Sequence, residues 1–446
     1  MGFTGLSVAA SGLNAAQRGI ELAAHNLANI GTDGYTRTRI EQVSRDRTAG
    51  ISIHPELRGD GVTVIGVSRI RDSLLDTSLR EQMGGASFNA AHSAYLERTE
   101  GVIGQIDGGL PTDMSAFWDA WDALALSPAD AATRATVIEA GDRVASTLST
   151  MYAGVRDLIT AGRSELEGLI AEVNASTQTV VRLNDEIVEQ QAIGNTPSAL
   201  LDARDMELDR LAELTGARIH TMADGRMTVS LGGLPIVSAT RSEQLTVAGN
   251  PPTVTFENGD QATTSGAIGG IISATRSVLP GVQADLDIVA LELRDSINAI
   301  HGAGLDLAGI AGQDFFSGTG AADLSVSAAM TWQTVAASLS GAEADGNNAL
   351  AIAGLRLDGG SSDAKARAVI GKFGAIVASA RDRALVDGQV MNHLIAERSS
   401  LSGVDLDEEL TTLLRYQRSY EASARALTVV DEMLGHLINR TGVVGR

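Results

Sequence analysis

The sequence predicts a mainly α-helical protein with an inserted β-rich domain, and three observations carry that prediction. Apolar residues recur every seven positions at both ends of the chain, which is the spacing of paired terminal coiled-coil helices. Between the ends, long stretches keep the three- and four-residue apolar spacing of a long helical bundle. Residues 217–257 instead alternate apolar and polar side chains between Gly- and Asn-containing turns, which predicts a small antiparallel β domain.

The first heptad pattern lies in residues 5–30. Its column of large apolar side chains consists of Leu6, Leu13, Ile20 and Leu27. Three positions after the first three of these come Ala9, Ala16 and Ala23, a column of small side chains that lets another helix approach closely.

The second heptad pattern lies in residues 405–438, behind Asp405 as an N-cap and Glu408 as its capping-box partner. Its large column consists of Leu406, Leu413, Tyr420, Leu427 and Leu434. Two such patterns indicate ends that pair with each other or with neighbouring copies. Periodicity alone favours the alternative, two ordinary amphipathic helices docked on a globular core.

The residues after the first heptad pattern decide between these interpretations. Residues 26–37, NLANIGTDGYTR, resemble the N-terminal signature of the bacterial flagellar rod, hook and hook-associated axial proteins. The family usually has Asn-Asn where this chain has His25-Asn26, and often Pro where it has Asp33. With the two large heptad columns, Asn26 and Asn29 are the residues that we expect at an assembly interface.

Composition excludes several classes of function. The 446 residues carry a formal net charge of −21, which argues against a nucleic-acid or anionic-membrane surface as partner. The chain has no Cys, so neither disulfides nor Cys-based metal sites are expected. No apolar run reaches the roughly 18 residues of a membrane-spanning helix, so membrane insertion is not expected. The N-terminus also lacks the pattern of a cleaved signal peptide.

The region after Gly34 shows strand-like alternation before helical spacing returns over residues 69–105. Its apolar residues are Ile51, Ile53, Val62, Val64 and Val67. Phe117, Trp118 and Trp121 then share one face of a predicted helix. This spacing favours a buried aromatic cluster over a binding box.

Residues 136–214 form one long helical region with a break at 194–197. Behind the break, Asp202, Arg204 and Asp205 are predicted to make local ion pairs on a helix. Leu200 to Asp205 also resembles a segment of the hook-associated members of the flagellar family. A catalytic acid–base role is disfavoured, because nothing nearby in sequence supplies a nucleophile or a metal.

No catalytic, cofactor-binding or metal-binding residue is predicted. The seven His are scattered and include no His-x-x-x-His pair, and no phosphate-binding or nucleophile-elbow motif occurs. His301 is expected to be a packed or surface residue rather than a metal ligand. The protein is therefore not expected to be an enzyme.

Three domains are predicted. Residues 1–45 and 402–446 form the terminal coiled-coil domain. Residues 46–214, 266–308 and 345–401 form the helical bundle, and 215–265 form the β-rich outer domain, with 309–344 left open as an addition to it.

The resemblance implies an extracellular structural part of the flagellum, a ring between hook and filament on which the filament is assembled. It also implies self-association and contacts with the hook protein, with a second junction protein towards the filament, and with an export chaperone at the C-terminal helix. Export would proceed without a cleaved signal peptide. The alternatives are a hook or distal-rod protein of the same family, or a secreted enzyme on a flagellar scaffold.

Overall fold

The computed structural model describes residues 2–46, 59–104 and 109–440. Within them the fold is mainly α-helical with small antiparallel sheets, which confirms the predicted fold class. Ile51 and Ile53 of the predicted strand region, and the predicted terminal domain beyond residue 440, lie outside the described residues.

The two terminal helices, α1 (Gly2–Ala28) and α10 (Leu406–Arg440), pack on each other. Asp405 caps α10 as predicted, since its Oδ1 accepts from the amides of Asp407 and Glu408 at 2.9 and 3.0 Å. Glu408 does not complete a capping box with Asp405, because its carboxylate accepts from Arg37 instead.

A β-hairpin follows α1 and lies against it. Strands β1 (Thr38–Asp46) and β2 (Gly59–Arg69) pair antiparallel, with Val43 opposite Thr63. The Val62 amide donates to Ser11 Oγ of α1 at 3.1 Å. The range 46–214, predicted as helical bundle, therefore begins with a strand that packs on the terminal helix.

The helices of the body are long, and their starts and stops follow the sequence signals. Gly194 has a φ of +85° and follows the end of α4, at the predicted break. A π-helical turn, Ala274–Val278, joins α6 to α7. The body helices are α2 (Ser73–Ile103), α3 (Gly109–Leu126), α4 (Ala131–Ala192), α5 (Ser198–Thr215), α6 (Ala267–Ser273), α7 (Leu279–Ala303), α8 (Asn347–Gly354) and α9 (Ser362–Ser402).

The predicted β region forms a three-stranded sheet, β3-β4-β5, and a separate hairpin, β6-β7. A further two-residue pair, β8-β9, lies in the region that the sequence left open. The strands are β3 (Arg218–Thr221), β4 (Met227–Leu231), β5 (Leu234–Val237), β6 (Leu245–Ala248), β7 (Thr253–Phe256), β8 (Phe316–Ser317) and β9 (Ser325–Val326).

Two Asn side chains fasten these strands to the long helix α4. The Asn174 amide accepts from Leu245 N and donates to Leu245 O, both at 2.9 Å. The Asn184 amide makes the same pair of bonds with Met227, at 3.0 and 2.8 Å. Each Asn side chain bonds the backbone N–H and C=O groups that would otherwise pair with a neighbouring strand. The small sheets can therefore end at α4 without leaving these groups unpaired.

The predicted aromatic cluster is confirmed. Phe117, Trp118 and Trp121 are each at most 1% exposed, and Phe117 packs with its ring centroid 6.0 Å from that of Phe315 and 5.7 Å from that of Phe316. The Trp118 indole N–H donates to the buried carboxylate of Asp363 at the start of α9. The cluster therefore joins α3, α9 and the chain after α7 in one core.

Candidate assembly interface

The two terminal helices meet in an antiparallel register that repeats every seven residues. Every seventh residue of α1, three glycines and one asparagine, lies opposite one residue of α10. The facing pairs are Gly5 and Val430, Gly12 and Ser423, Gly19 and Tyr416, and Asn26 and Glu409. The absence of a side chain at the three glycines lets α10 lie close to the α1 backbone.

The predicted heptad residues lie on or beside this contact to different degrees. Ala9, Ala16 and Ala23 are buried, and Leu6, Leu13, Ile20 and Leu27 beside them are half-buried. On α10, Leu413, Leu427 and Leu434 are half-buried, whereas Leu406 and Tyr420 are 48% and 38% exposed. Asn29 is half-buried and its amide donates to His25 O at 2.9 Å, so here it closes the end of α1.

Asn26 lies where α1, the hairpin and α10 meet, and it is 2% exposed. Its Nδ2 donates to Thr38 O at 2.9 Å and to Glu409 Oε2 at 3.2 Å. Its Oδ1 accepts from the Tyr35 hydroxyl at 2.7 Å and from the Thr38 amide at 3.2 Å. Burial raises the pKa of Tyr35, so its phenol keeps the proton that it donates. Asn26 thereby fixes three elements in one geometry.

Arg37 ties the segment after α1 to the start of α10. Its Nε donates to Glu409 at 2.6 Å and its Nη1 donates to Glu408 at 2.8 Å, while its backbone amide donates to Ser402 O at 2.9 Å. Burial alone would lower the pKa of Arg37, but the hydrogen bonds to the two carboxylates outweigh it and raise the pKa. The guanidinium therefore stays charged in this contact.

The prediction of local ion pairs at Asp202 and Asp205 is wrong. Both are buried, and both accept from Arg69 of β2, at 2.7 and 2.8 Å. Asp205 also accepts from Arg71 at 2.6 Å and from Arg80 of α2 at 3.2 Å. The partners are distant in sequence because α5 packs against α2 and the end of the hairpin. Burial alone would raise the pKa of Asp205, but the three arginines outweigh it and lower the pKa.

These bonds form a balanced charge network between the terminal elements and the body. Asp209 of α5 extends it by accepting from Arg80 at 2.7 Å and from Arg398 of α9 at 2.6 Å. Asp202 also accepts from the backbone amide of Thr36 at 3.3 Å. We call this group the joint, formed by Arg69, Arg71, Asp76, Arg80, Asp202, Asp205, Asp209 and Arg398.

Arg204 points away from the joint. Its Nη1 donates to Asn184 Oδ1 and to Gly225 O, both at 3.0 Å, so it ties α5 to α4 and to the turn between β3 and β4. Burial lowers the pKa of Arg204, and Asp205 opposes that shift only in part. One short helix thus presents carboxylates to one neighbour and a guanidinium to the other.

Sequence reasoning missed the glycine column of α1 and the joint. A signal for the first was present, since Gly5, Gly12 and Gly19 are themselves spaced by seven. The partners of Asp205 carry no local signal, because they lie 125 to 136 positions away.

His301 is fully buried rather than a surface residue. Its Nε2 accepts from the Ala336 amide at 2.8 Å, which leaves Nδ1 as the protonated nitrogen that donates to Gln313 O at 2.5 Å. Burial lowers the pKa of His301. Across the described residues, no three His, Asp or Glu side chains come together in a way that could hold a metal ion. None of the described helices has an apolar stretch long enough to cross a membrane.

Three family models match the chain in order. Residues 6–36 match the flagella basal body rod protein model, and 397–440 match the C-terminal model of the flagellar basal body rod FlgEFG proteins. Residues 96–316 match the helical domain of the flagellar hook-associated protein FlgK. The match to the FlgK helical domain, residues 96–316, contains the aromatic residues of α3 and the acidic residues of α5.

Two curated relatives match over at least 97% of the chain. Flagellar hook-associated protein 1 of Bacillus subtilis is 28% identical over 503 aligned positions, covering 100% of this chain and 99% of the relative. The protein of the same name from Escherichia coli is 23% identical, covering 97% of this chain and 98% of the relative. Both alignments are longer than the chain, so both relatives contain segments that this chain lacks.

A solved structure has a similar fold. The flagellar hook junction protein FlgK from Burkholderia pseudomallei superposes with a TM-score of 0.50 and 23% sequence identity. The match covers 54% of this chain and 46% of the other chain.

Proposed function

We infer that this chain belongs to the family of flagellar hook-associated proteins, and we propose that it forms the junction ring between hook and filament on which the filament is assembled. The observation that carries the proposal is the match of residues 96–316 to the helical domain of that family. A hook or distal-rod protein would share the end segments but is not expected to contain the Trp118–Trp121 and Asp202–Asp205 segments. Both segments lie inside the matched region, and their Trp118, Trp121, Asp202 and Asp205 side chains are buried in this fold.

The terminal elements are the proposed assembly interface. They comprise residues 1–45 and 402–446, and we add β2 because it pairs with β1 and lies on α1. The proposed interface residues are Leu6, Leu13, Ile20, Asn26, Leu27, Asn29, Leu406, Leu413, Tyr420, Leu427 and Leu434. The α1–α10 contact supports an interface built on a preformed helix pair. The body helices and the β-rich residues 215–265 are proposed as separate, outer domains.

The protein associates with other flagellar axial proteins, as its family does. We propose the hook protein on one side and a second junction protein on the filament side as its neighbours. We also propose that an export chaperone holds α10 before assembly, since Leu410, Leu414 and Met433 are exposed on that helix. Export by the flagellar route without a cleaved signal peptide completes the proposal.

The role is structural, and we propose no catalysis. The buried charged groups of the joint hold helices together rather than converging on a cleft.

Deletion of the coding region tests the function. Cells without the protein should build hooks of normal length but no filaments, and should release flagellin monomers into the medium. Electron microscopy of the cells and immunoblots of the medium read out both effects. Normal filaments on such cells would refute the proposed function.

A further inference from the structure

The terminal domain exposes two apolar surfaces that the α1–α10 contact does not use. On the hairpin, Val43 and Ile65 are 50% and 62% exposed. On the first turns of α10, Leu406, Leu410 and Leu414 are 48%, 40% and 53% exposed. We call these the hairpin surface and the α10 surface. Large apolar side chains grouped in this way are typical of surfaces that a partner covers.

The two surfaces belong to elements on different sides of α1. Ser11 of α1 accepts a hydrogen bond from the hairpin, whereas the next residue, Gly12, faces Ser423 of α10. Successive residues of a helix point about 100° apart, so the hairpin and α10 approach α1 from two directions. The surfaces that they turn outward are therefore different in position as well as in sequence.

The charges at the Arg39/Arg45 and Asp405/Asp407 positions of the two surfaces are complementary, and the exposed charges of the other sign include Glu41 on the hairpin and Arg418 one turn beyond Leu414. Arg39 and Arg45 are exposed on the hairpin, and neither has a carboxylate within ion-pair distance among the residues that the structure describes. The α10 surface begins with Asp405 and Asp407, which are exposed and likewise have no basic partner in the described part of the chain. Unpaired arginines beside apolar residues are notable in a chain of net charge −21.

We propose that the hairpin surface of one copy docks on the α10 surface of the next copy. The inference rests on the proposed function and names the contact by which the ring would form. Because the two surfaces are different, the contact is head-to-tail, and a head-to-tail contact repeats around a closed ring or along a helix rather than stopping at a dimer. Leu406, which the α1–α10 contact leaves exposed, becomes covered by the neighbouring copy.

The absence of Cys makes the contact testable by cross-linking in assembled flagella. Cells that also carry the wild-type gene should express two variants together, Ile65→Cys and Leu410→Cys, so that assembly of the flagella does not depend on either variant alone. Flagella isolated from these cells and treated with a short bismaleimide should contain a cross-linked dimer. Flagella with only one of the variants should contain little or none, since like surfaces do not meet in this arrangement.

Leu357→Cys supplies the matched control, because Leu357 is an 82% exposed apolar residue of the body. Paired with Ile65→Cys, it should give no dimer. The inference is overturned if both variants are present at the hook tip but give no mixed dimer, or if either variant cross-links to itself as readily. Such a result leaves the proposed function standing, whereas absence of the protein from the hook tip would remove the function as well.

Charge reversal supplies an independent test. Arg45→Glu and Asp407→Arg should each reduce the fraction of flagellated cells severalfold, and the double variant should recover most of the loss because the attraction is restored with opposite sign. A double variant that assembles no better than the worse single variant would contradict the proposed contact.

Discussion

Gly19 of α1 lies directly against the ring of Tyr416 of α10. A Cβ added to Gly19 would stand 2.5 Å from Cδ1 of that ring, whereas a Cβ on Gly5 would stand 3.5 Å from the nearest atom, Cγ2 of Val430. The two helices are therefore in close contact at Gly19 and have room for a methyl group at Gly5.

Gly19→Ala should weaken the terminal helix pair, and Gly5→Ala should not. Overpacking of a tight contact costs about 1–3 kcal/mol. Replacing Gly by Ala in a helix that has room gains up to about 1 kcal/mol. Hydrogen exchange of the α1 amides measures the free energy of opening, which should fall in Gly19→Ala and rise slightly in Gly5→Ala. Equal effects of the two substitutions would contradict the close packing.

Asn26→Ala should loosen the meeting point of α1, the hairpin and α10. The substitution leaves the buried Thr38 amide and the Glu409 carboxylate short of a partner, and each such loss costs about 1–3 kcal/mol. Exchange of the Thr38 amide should accelerate accordingly. Asn14→Ala is the control, because Asn14 is exposed on the same helix and should leave that exchange unchanged.

Asp205→Asn should destabilise the protein strongly at neutral pH and weakly in acid. Breaking a buried charge network on one side costs about 3–5 kcal/mol. The pKa of Asp205 is lowered in the folded protein, so its contribution is complete above the unfolded pKa of about 3.9 and disappears as pH falls through the folded pKa. Urea unfolding at pH 7 and pH 3 should therefore show a gap between wild type and variant that narrows in acid.

Asp185→Asn is the matched control for the joint. Asp185 pairs with Arg226, but its side chain is 52% exposed, and exposed pairs contribute less than about 1 kcal/mol. If Asp185→Asn lowered the free energy of unfolding as much as Asp205→Asn, burial would not be the reason that the joint contributes strongly to stability.

His301 should make stability fall between pH 7 and pH 5. Burial lowers its folded pKa below the unfolded value of about 6.5, so protonation favours the unfolded chain once the pH drops below that value. Protonation also removes the Nε2 lone pair that accepts from the Ala336 amide. His301→Gln should flatten this part of the stability curve, although His92, whose pKa is also lowered, remains in both proteins. His220→Gln, at an exposed position of β3, should keep the wild-type slope.

The elements that local pattern determines could be predicted from the sequence. Heptad spacing gave the terminal helices, the Gly194 break separated α4 from α5, and the spacing of Phe117, Trp118 and Trp121 gave the buried cluster. The partners of Asp205 could not be predicted, because an ion pair between α5, β2 and α2 exists only once those elements are packed. Sequence spacing alone therefore placed the ion-pair partners of Asp205 within its own helix, α5, whereas they lie on β2, on α2 and between them.

The register of the helix pair shows the same limit. The Leu and Ala columns of α1 indicate a packed face but do not say which residue of α10 stands opposite. Gly19 and Tyr416 are set face to face by the Asn26–Glu409 bond seven residues further along the helix, a contact between residues 383 positions apart.

The central claim is that this chain is the junction between hook and filament, and immunogold labelling of intact flagella tests it most directly. Antibody against the body helices should place gold particles in a single narrow zone at the distal end of the hook, and none along the filament or the hook shaft. When the deletion strain expresses the Asn14→Ala control variant, gold particles should mark the same narrow zone at the distal end of the hook. Label spread along the hook, along the filament, or absent from flagella altogether would contradict the account.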